Sequence, residues 1–149
     1  MTTQASGQPA GFHWTVRVYY EDTDAGGIVF YANYLKFFER ARTEWLRSTG
    51  IGQQGMTERH ACMFVVKNTA VDYHAPAKLD DELKISVVVE KLGRASVQFV
   101  QQAWRITEDG LVLLASGRIK VGCVGTLTLR PCGIPAAILE GIAAHVAAS

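Results

Sequence analysis

Three carboxylates within four positions, Glu21, Asp22 and Asp24, are followed after Ala25 by the pair Gly26-Gly27. An apolar step comes next, then a strongly amphipathic run that begins near Tyr31. An acid beside flexible backbone, close to the free N–H donors of a helix start, is equipped to attack or polarise a carbonyl. The acid acts as nucleophile or as the base that activates water. The first N–H groups of a helix lack partners inside it and carry the positive end of its dipole, so they receive a developing oxyanion. An acid at a helix N-terminus also serves simply as a cap or a solvated loop charge, and Gly-Gly simply as a turn. Spacing alone leaves these readings open.

The elements around this stretch are legible from periodicity. Phe12, Trp14, Val16, Val18 and Tyr20 alternate with His13, Thr15, Arg17 and Tyr19, which predicts a half-buried strand ending at the acids. Glu21–Val29 reads as a loop. From about Tyr31 to Ser48 the period becomes helical: Tyr34, Phe38, Ala41 and Trp45 share a face, widened by Leu35, Phe37 and Leu46. Asn33 suits the cap or first turn, and Gly50 the stop. So broad and aromatic a stripe must be wrapped, and the candidate wrapper is a sheet. Strand patterns follow over Met63–Tyr73, Leu83–Glu90, Ala95–Ile106 and Leu111–Val124, with Leu92-Gly93-Arg94 as a turn and Glu108-Asp109-Gly110 as a hairpin signal. Pro135 opens a short helix with Ile138, Ile142 and Val146 on one face. One long helix segregated from a run of strands predicts an α+β domain over residues 12–149, with residues 1–11 a flexible N-terminal tail.

Composition narrows the function classes. The chain has 149 residues, 48% of them hydrophobic, and a formal net charge of +1, giving non-specific nucleic-acid binding little electrostatic support. Every apolar stretch is interrupted by charge before it reaches membrane-spanning length, so no membrane insertion is expected. The N-terminus reads as neither basic nor apolar enough for a secretory signal. Cys62, Cys123 and Cys132 are odd in number, without C-x-x-C, and read as separate, buried or idle thiols of a cytoplasmic protein. The histidines show no metal spacing, and the G-x-S-x-G, G-x-G-x-x-G and P-loop patterns are absent.

The run Y-E-D-T-D-A-G-G-I-V-F-Y-A-N-Y, followed by F-F-E-R-A-R, resembles the signature of the 4-hydroxybenzoyl-CoA thioesterase family, most of all its Tol-Pal-associated acyl-CoA thioesterase branch. The motif covers about a sixth of the chain; L-G-R-A-S at Leu92–Ser96 and P-x-x-I-P at Pro131–Pro135 extend the likeness. The resemblance implies a hotdog fold: a long helix wrapped by an antiparallel sheet of about five strands. It also implies homodimers or homotetramers with sites at the dimer interface, an acyl-CoA substrate, and no metal or redox cofactor. The family's catalytic aspartate carries over to Asp24, and its main-chain donor at the helix start to the N–H of Tyr31.

The likeness places Gly26 and Gly27 at the substrate's approach, and Asp22 and Glu21 in loop hydrogen bonds or as like charges near Asp24. A basic rim for the phosphates of coenzyme A is expected, with Lys91, Arg94 and Arg118 as candidates. Branch members often have a histidine after the motif tyrosine; here Ala32 stands there, and the acyl group stays open between short aliphatic and aromatic. His74, in Asp72-Tyr73-His74-Ala75-Pro76, is not assigned a catalytic part, and Glu39 with Arg42 reads as an i, i+3 ion pair. Two rivals to an acyl-CoA hydrolase are a non-catalytic acyl-CoA or acyl-carrier-protein binding module linked to a cell-envelope assembly, and a hotdog dehydratase. The second lacks the histidine such enzymes pair with an acid.

Overall fold

A computed structural model of the chain describes residues 11–148, so the tail expected over residues 1–11 lies outside the described residues except for Gly11. Strands β1 (Phe12–Arg17), β2 (Cys62–Tyr73), β3 (Glu82–Leu92), β4 (Ser96–Thr107) and β5 (Gly110–Gly125) form one antiparallel sheet in the order β1-β3-β4-β5-β2. Helix α1 (Asn33–Ser48) lies in its concave face. This is the α+β hotdog architecture that the sequence resemblance implies. Two shorter helices, α2 (Gln53–His60) and α3 (Ala136–Ala148), close the end of the molecule at the α1 C-terminus. Among the described residues no helix is long and apolar enough to cross a membrane.

The wrapping is a matter of residue period. On α1, Phe37, Phe38 and Ala41 are fully buried, with Tyr34, Trp45 and Leu46 each 3% exposed. They meet Leu83, Ile85, Val97, Phe99, Ala103 and Ile119, the alternate residues of β3, β4 and β5. Gly117 lets helix and sheet come close: a Cβ there would stand 3.0 Å from the Phe38 ring, which would have to give way. Gln101 is polar and fully buried in this apolar layer. Its amide donates to the Phe38 carbonyl at 3.0 Å, and its carbonyl accepts from the Arg42 guanidinium at 2.8 Å. A buried amide so occupied costs little and keys α1 to β4.

Some expectations are corrected. The first strand stops at Arg17 and the chain turns through a 3-10 turn at Tyr20–Asp22, so Tyr20 is 81% exposed rather than aligned with Val16 and Val18. Helix α2 was not expected; its polar Gln-Gln-Gly-Met run has little apolar period, and it is placed by Met56, which is fully buried. Among the described residues Glu39 and Arg42 make no ion pair: Arg42 turns inward to Gln101, while Glu39 accepts the Thr43 hydroxyl at 2.8 Å. Burial lowers the Arg42 pKa, opposed by the charge of Glu39. Nor do the cysteines lie apart, since the Cys123 and Cys132 sulfurs are 3.6 Å from each other.

Removing the Phe38 ring leaves a cavity between α1 and Gly117. Phe38→Ala is expected to lower the unfolding free energy by about 3–5 kcal/mol in urea titration; a loss under about 1 kcal/mol would contradict this helix–sheet contact as the centre of the core.

Candidate active site

Residues 18–32 form a hooked loop that carries the chain from the edge of the sheet to the start of α1. Val18 still pairs with the segment before β3, its N–H donating to Asp81 at 2.9 Å and its carbonyl accepting from Asp80 at 3.0 Å. The 3-10 turn then buries Asp22, which is 3% exposed. The Asp22 carboxylate accepts the Tyr19 N–H at 2.9 Å and faces the Lys36 ammonium at 3.8 Å. Its main-chain carbonyl accepts from the Phe30 N–H at 3.1 Å and the Asn33 side-chain amide at 2.8 Å. Asn33 therefore acts in the first helical turn, tying α1 back to the loop.

Between Asp22 and Phe30 lies a small hairpin. Thr23 bridges Val29, the Asp24 N–H donates to Ile28 at 2.9 Å, and the Gly27 N–H donates to Asp24 at 3.0 Å. Gly27 has φ +81°, the left-handed region in which a side chain is strained. The hairpin is pinned from below, where Val29 donates to the Ala77 carbonyl at 2.8 Å. Asp24 sits at the exposed tip with one carboxylate oxygen accepting the Gly26 N–H at 2.8 Å. It makes no ion pair among the described residues.

At the helix start, Phe30 accepts the Asn33 N–H at 2.8 Å, and the Tyr31 carbonyl accepts the Tyr73 hydroxyl at 3.2 Å. The Tyr31 N–H has no acceptor among the described residues. Tyr31 lines a cleft of about 300 Å³ together with Tyr34, Tyr73, Ile28, Val29, His74, Ala75 and Pro76. The rings brace one another edge to face, with centroids 6.0 Å apart for Tyr31–Tyr73 and 5.5 Å for Tyr34–Tyr73. Burial raises both the Tyr34 and Tyr73 phenols, so they stay neutral donors and acceptors at physiological pH. His74 shares a hydrogen bond of 3.1 Å with Ser116. Asp24 does not line this cleft within the single chain.

The basic candidates are elsewhere. Lys91 and Arg94 are exposed around the β3–β4 turn. In the sheet register that is the end where Ser96 meets Gly122 and Cys62 meets Gly125, whereas Tyr73 at the cleft meets Ala115. Arg118 is engaged: it grips Glu90 with two bonds of 2.8 Å, reinforced by Gln98 at 2.7 Å. Arg118, then Gln98, holds the Glu90 carboxyl at about 2. Asp24, Gly26, Gly27 and Tyr31 thus share one loop, and the three cations do not join them in one chain. Tyr73 as the clamp on Tyr31 was missed by sequence reasoning; its only signal is its place beside His74 in Asp72–Pro76. Among the described residues no group of three or more His, Cys, Asp or Glu is arranged for a metal.

Residues 18–142 match the thioesterase-like superfamily. The chain belongs to that family. It is 46% identical over 125 residues to the acyl-CoA thioesterase YbgC of Haemophilus influenzae, covering 84% of this chain and 89% of that one. It is 46% identical over 129 residues to the acyl-CoA thioester hydrolase YbgC of Escherichia coli O6:H1, covering 86% and 92%. In fold it superposes on a mutant 4-hydroxybenzoyl CoA thioesterase complexed with 4-hydroxybenzoyl CoA, with TM-score 0.81 at 18% identity over 87% of this chain and 96% of that one. The expected family and thioester-hydrolase class are both borne out.

Asp22 links the strand end, the hairpin and the helix start. Asp22→Ala should cost about 1–3 kcal/mol by leaving the Tyr19 N–H without its acceptor, read by urea denaturation; an undiminished midpoint would show that the carboxylate is not the hook.

Proposed function

We propose that this chain hydrolyses acyl-CoA to a carboxylate and free coenzyme A, with Asp24 as nucleophile or general base and the Tyr31 main-chain N–H polarising the thioester carbonyl. The observation that carries this reading is that Tyr31, whose N–H has no acceptor among the described residues, lines a cleft and shares a short loop with an exposed carboxylate that makes no ion pair among them. Family membership and the activities named for the two YbgC relatives support it.

The chemistry follows from those two groups. Sulfur donates weakly into the carbonyl, so the thioester is a good electrophile. The carbonyl oxygen takes the Tyr31 N–H, where the helix dipole favours the charge that builds as the carbon becomes tetrahedral. One such donor is worth about 3–4 kcal/mol of barrier. Asp24 either attacks, giving a mixed anhydride that water opens, or takes a proton from the attacking water. Collapse expels the coenzyme A thiolate. Gly26 and Gly27 let the hairpin tip lie close to the thioester, and Asp22 holds the geometry. The reaction calls for no metal or redox cofactor. The apolar, tyrosine-lined cleft suits a short aliphatic or an aromatic acyl group. We take residues 12–149 as one thioesterase domain, working in the cytoplasm.

A second copy completes this reading. Strand β2 is twelve residues long and, among the described residues, pairs on one side only, with Val66 51% exposed and Tyr73 46% exposed. So long an unpaired edge invites a mate. Antiparallel twofold pairing through β2 brings the Cys62 end of one protomer beside the Tyr73 end of its partner. That carries Lys91 and Arg94 toward the neighbouring cleft, where they and Arg118 would form the rim for the phosphates of coenzyme A. We assign the protein as a homodimer, or a homotetramer built from it.

Asp24→Asn is expected to lower kcat by about 10²–10⁴-fold with an unchanged circular dichroism spectrum, measured as free thiol released from a panel of aliphatic and aromatic acyl-CoAs. Wild-type turnover in that variant removes Asp24 from the mechanism, whereas tight binding without thiol release by the parent protein supports the binding-module alternative. Sedimentation is expected to give a dimer or tetramer; an active monomer would exclude a site completed across subunits.

A further inference from the structure

Beyond the first residue of β4, the ladder on that side of β5 is taken over by the strap that leads to α3. The Gly125 N–H donates to Arg130 at 3.0 Å, the Cys132 N–H to Cys123 at 3.0 Å, and Val124 bridges Pro131. This register sets Cys132 opposite Cys123, joined by the single bond from the Cys132 N–H, because the Cys123 N–H is taken by Ala95. The side chains face each other, with the sulfurs in contact at 3.6 Å. Cys123 is buried and Cys132 is half-buried. Cys62, buried on β2, approaches the Cys123 thiol from the other side.

We propose that Cys123 and Cys132 form a reversible oxidation site for hydroperoxides, closing to a disulfide that clamps the strap onto β5. Cys132 is the thiol a small oxidant reaches. Its sulfur, as thiolate, attacks the O–O bond: an S–O bond forms, the O–O bond breaks, and sulfur gives up two electrons. The displaced oxygen leaves as water or an alcohol, taking up a proton, and Cys132 is left as the sulfenic acid. The Cys123 sulfur then displaces that hydroxyl: the S–S bond forms, the S–O bond breaks, and water departs with the Cys123 proton. Burial, then the adjacent Cys132 and Cys62 thiols, raises the Cys123 pKa, so the first attack falls to Cys132. The strap matters to its surroundings because the Ile134 N–H donates to the Arg94 carbonyl at 2.8 Å and the Cys123 N–H to the Ala95 carbonyl at 2.9 Å. Closing the disulfide therefore stiffens the support of the turn that carries Arg94. The site does not depend on the Asp24 chemistry.

The test is hydrogen peroxide in slight excess on the full chain, followed by alkylation, trypsin and mass spectrometry. Trypsin spares the Arg130–Pro131 bond, so both cysteines fall in fragment 121–149, and Cys62 in another. The expected result is a fragment 121–149 two hydrogens lighter and unalkylated, Cys62 fully alkylated, and reversal by dithiothreitol. Cys62→Ser should behave identically, and Cys123→Ser should stall at a Cys132 sulfenic acid captured by dimedone. Fragment 121–149 alkylated at both positions after peroxide, a bridge involving Cys62, or Cys132 oxidised to the sulfinic acid beside an alkylated Cys123 would each overturn the proposal.

Discussion

The buried Asp22 is the constraint on which the site geometry rests. One residue gives its carboxylate to the backbone before the turn and its carbonyl to two donors at the helix start, 2.8 and 3.1 Å away. The ends of the hairpin are thereby tied together at its base. A hairpin so closed has few ways to move Asp24 relative to Tyr31, although both stand in a loop. Catalytic groups on loops need such bracing, because a misplacement of about 1 Å can cost a hundredfold in rate. Burying a carboxylate is costly, and here the cost is offset by the N–H bond and by the Lys36 ammonium at 3.8 Å.

The remaining structure supplies a rigid frame for that hook. Phe38 against Gly117 sets how closely α1 approaches the sheet, and Gln101 fixes the helix along its axis through the Phe38 carbonyl and Arg42. With α1 held, its N-terminus has a fixed position over the end of β2, where the Tyr73 hydroxyl reaches the Tyr31 carbonyl. The peptide after Tyr31 is anchored on one side by Tyr73, while the N–H before it stays open. Packing thus holds in place the main-chain donor that the proposed chemistry uses.

What could be read from the sequence divides by range. The stripe of Tyr34, Phe38, Ala41 and Trp45 has a local period, and it announced both the helix and its wrapper. The step from alternating residues to acids to Gly26-Gly27 announced the loop for the same reason. Helix α2 carries almost no such period and is placed by one buried residue, Met56. Arg42 obeys no local rule either: a neighbour three positions away lost to Gln101, brought in from β4 by the fold. Glu90, Gln98 and Arg118 meet only through the register of three strands, as Cys123 and Cys132 meet only through the register of the strap. Pairings of that kind are fixed by register and topology, which no window along the chain contains.

Where a bound thioester lies decides whether Asp24 and the Tyr31 N–H can act on it. The most direct measurement is a crystal structure of the Asp24→Asn variant with an acyl-CoA trapped in the cleft. The expected result is a carbonyl oxygen about 3 Å from the Tyr31 main-chain nitrogen, with the residue 24 side chain facing the carbonyl carbon. A thioester seated elsewhere, with the Tyr31 N–H satisfied by another group and residue 24 directed to solvent, would contradict it.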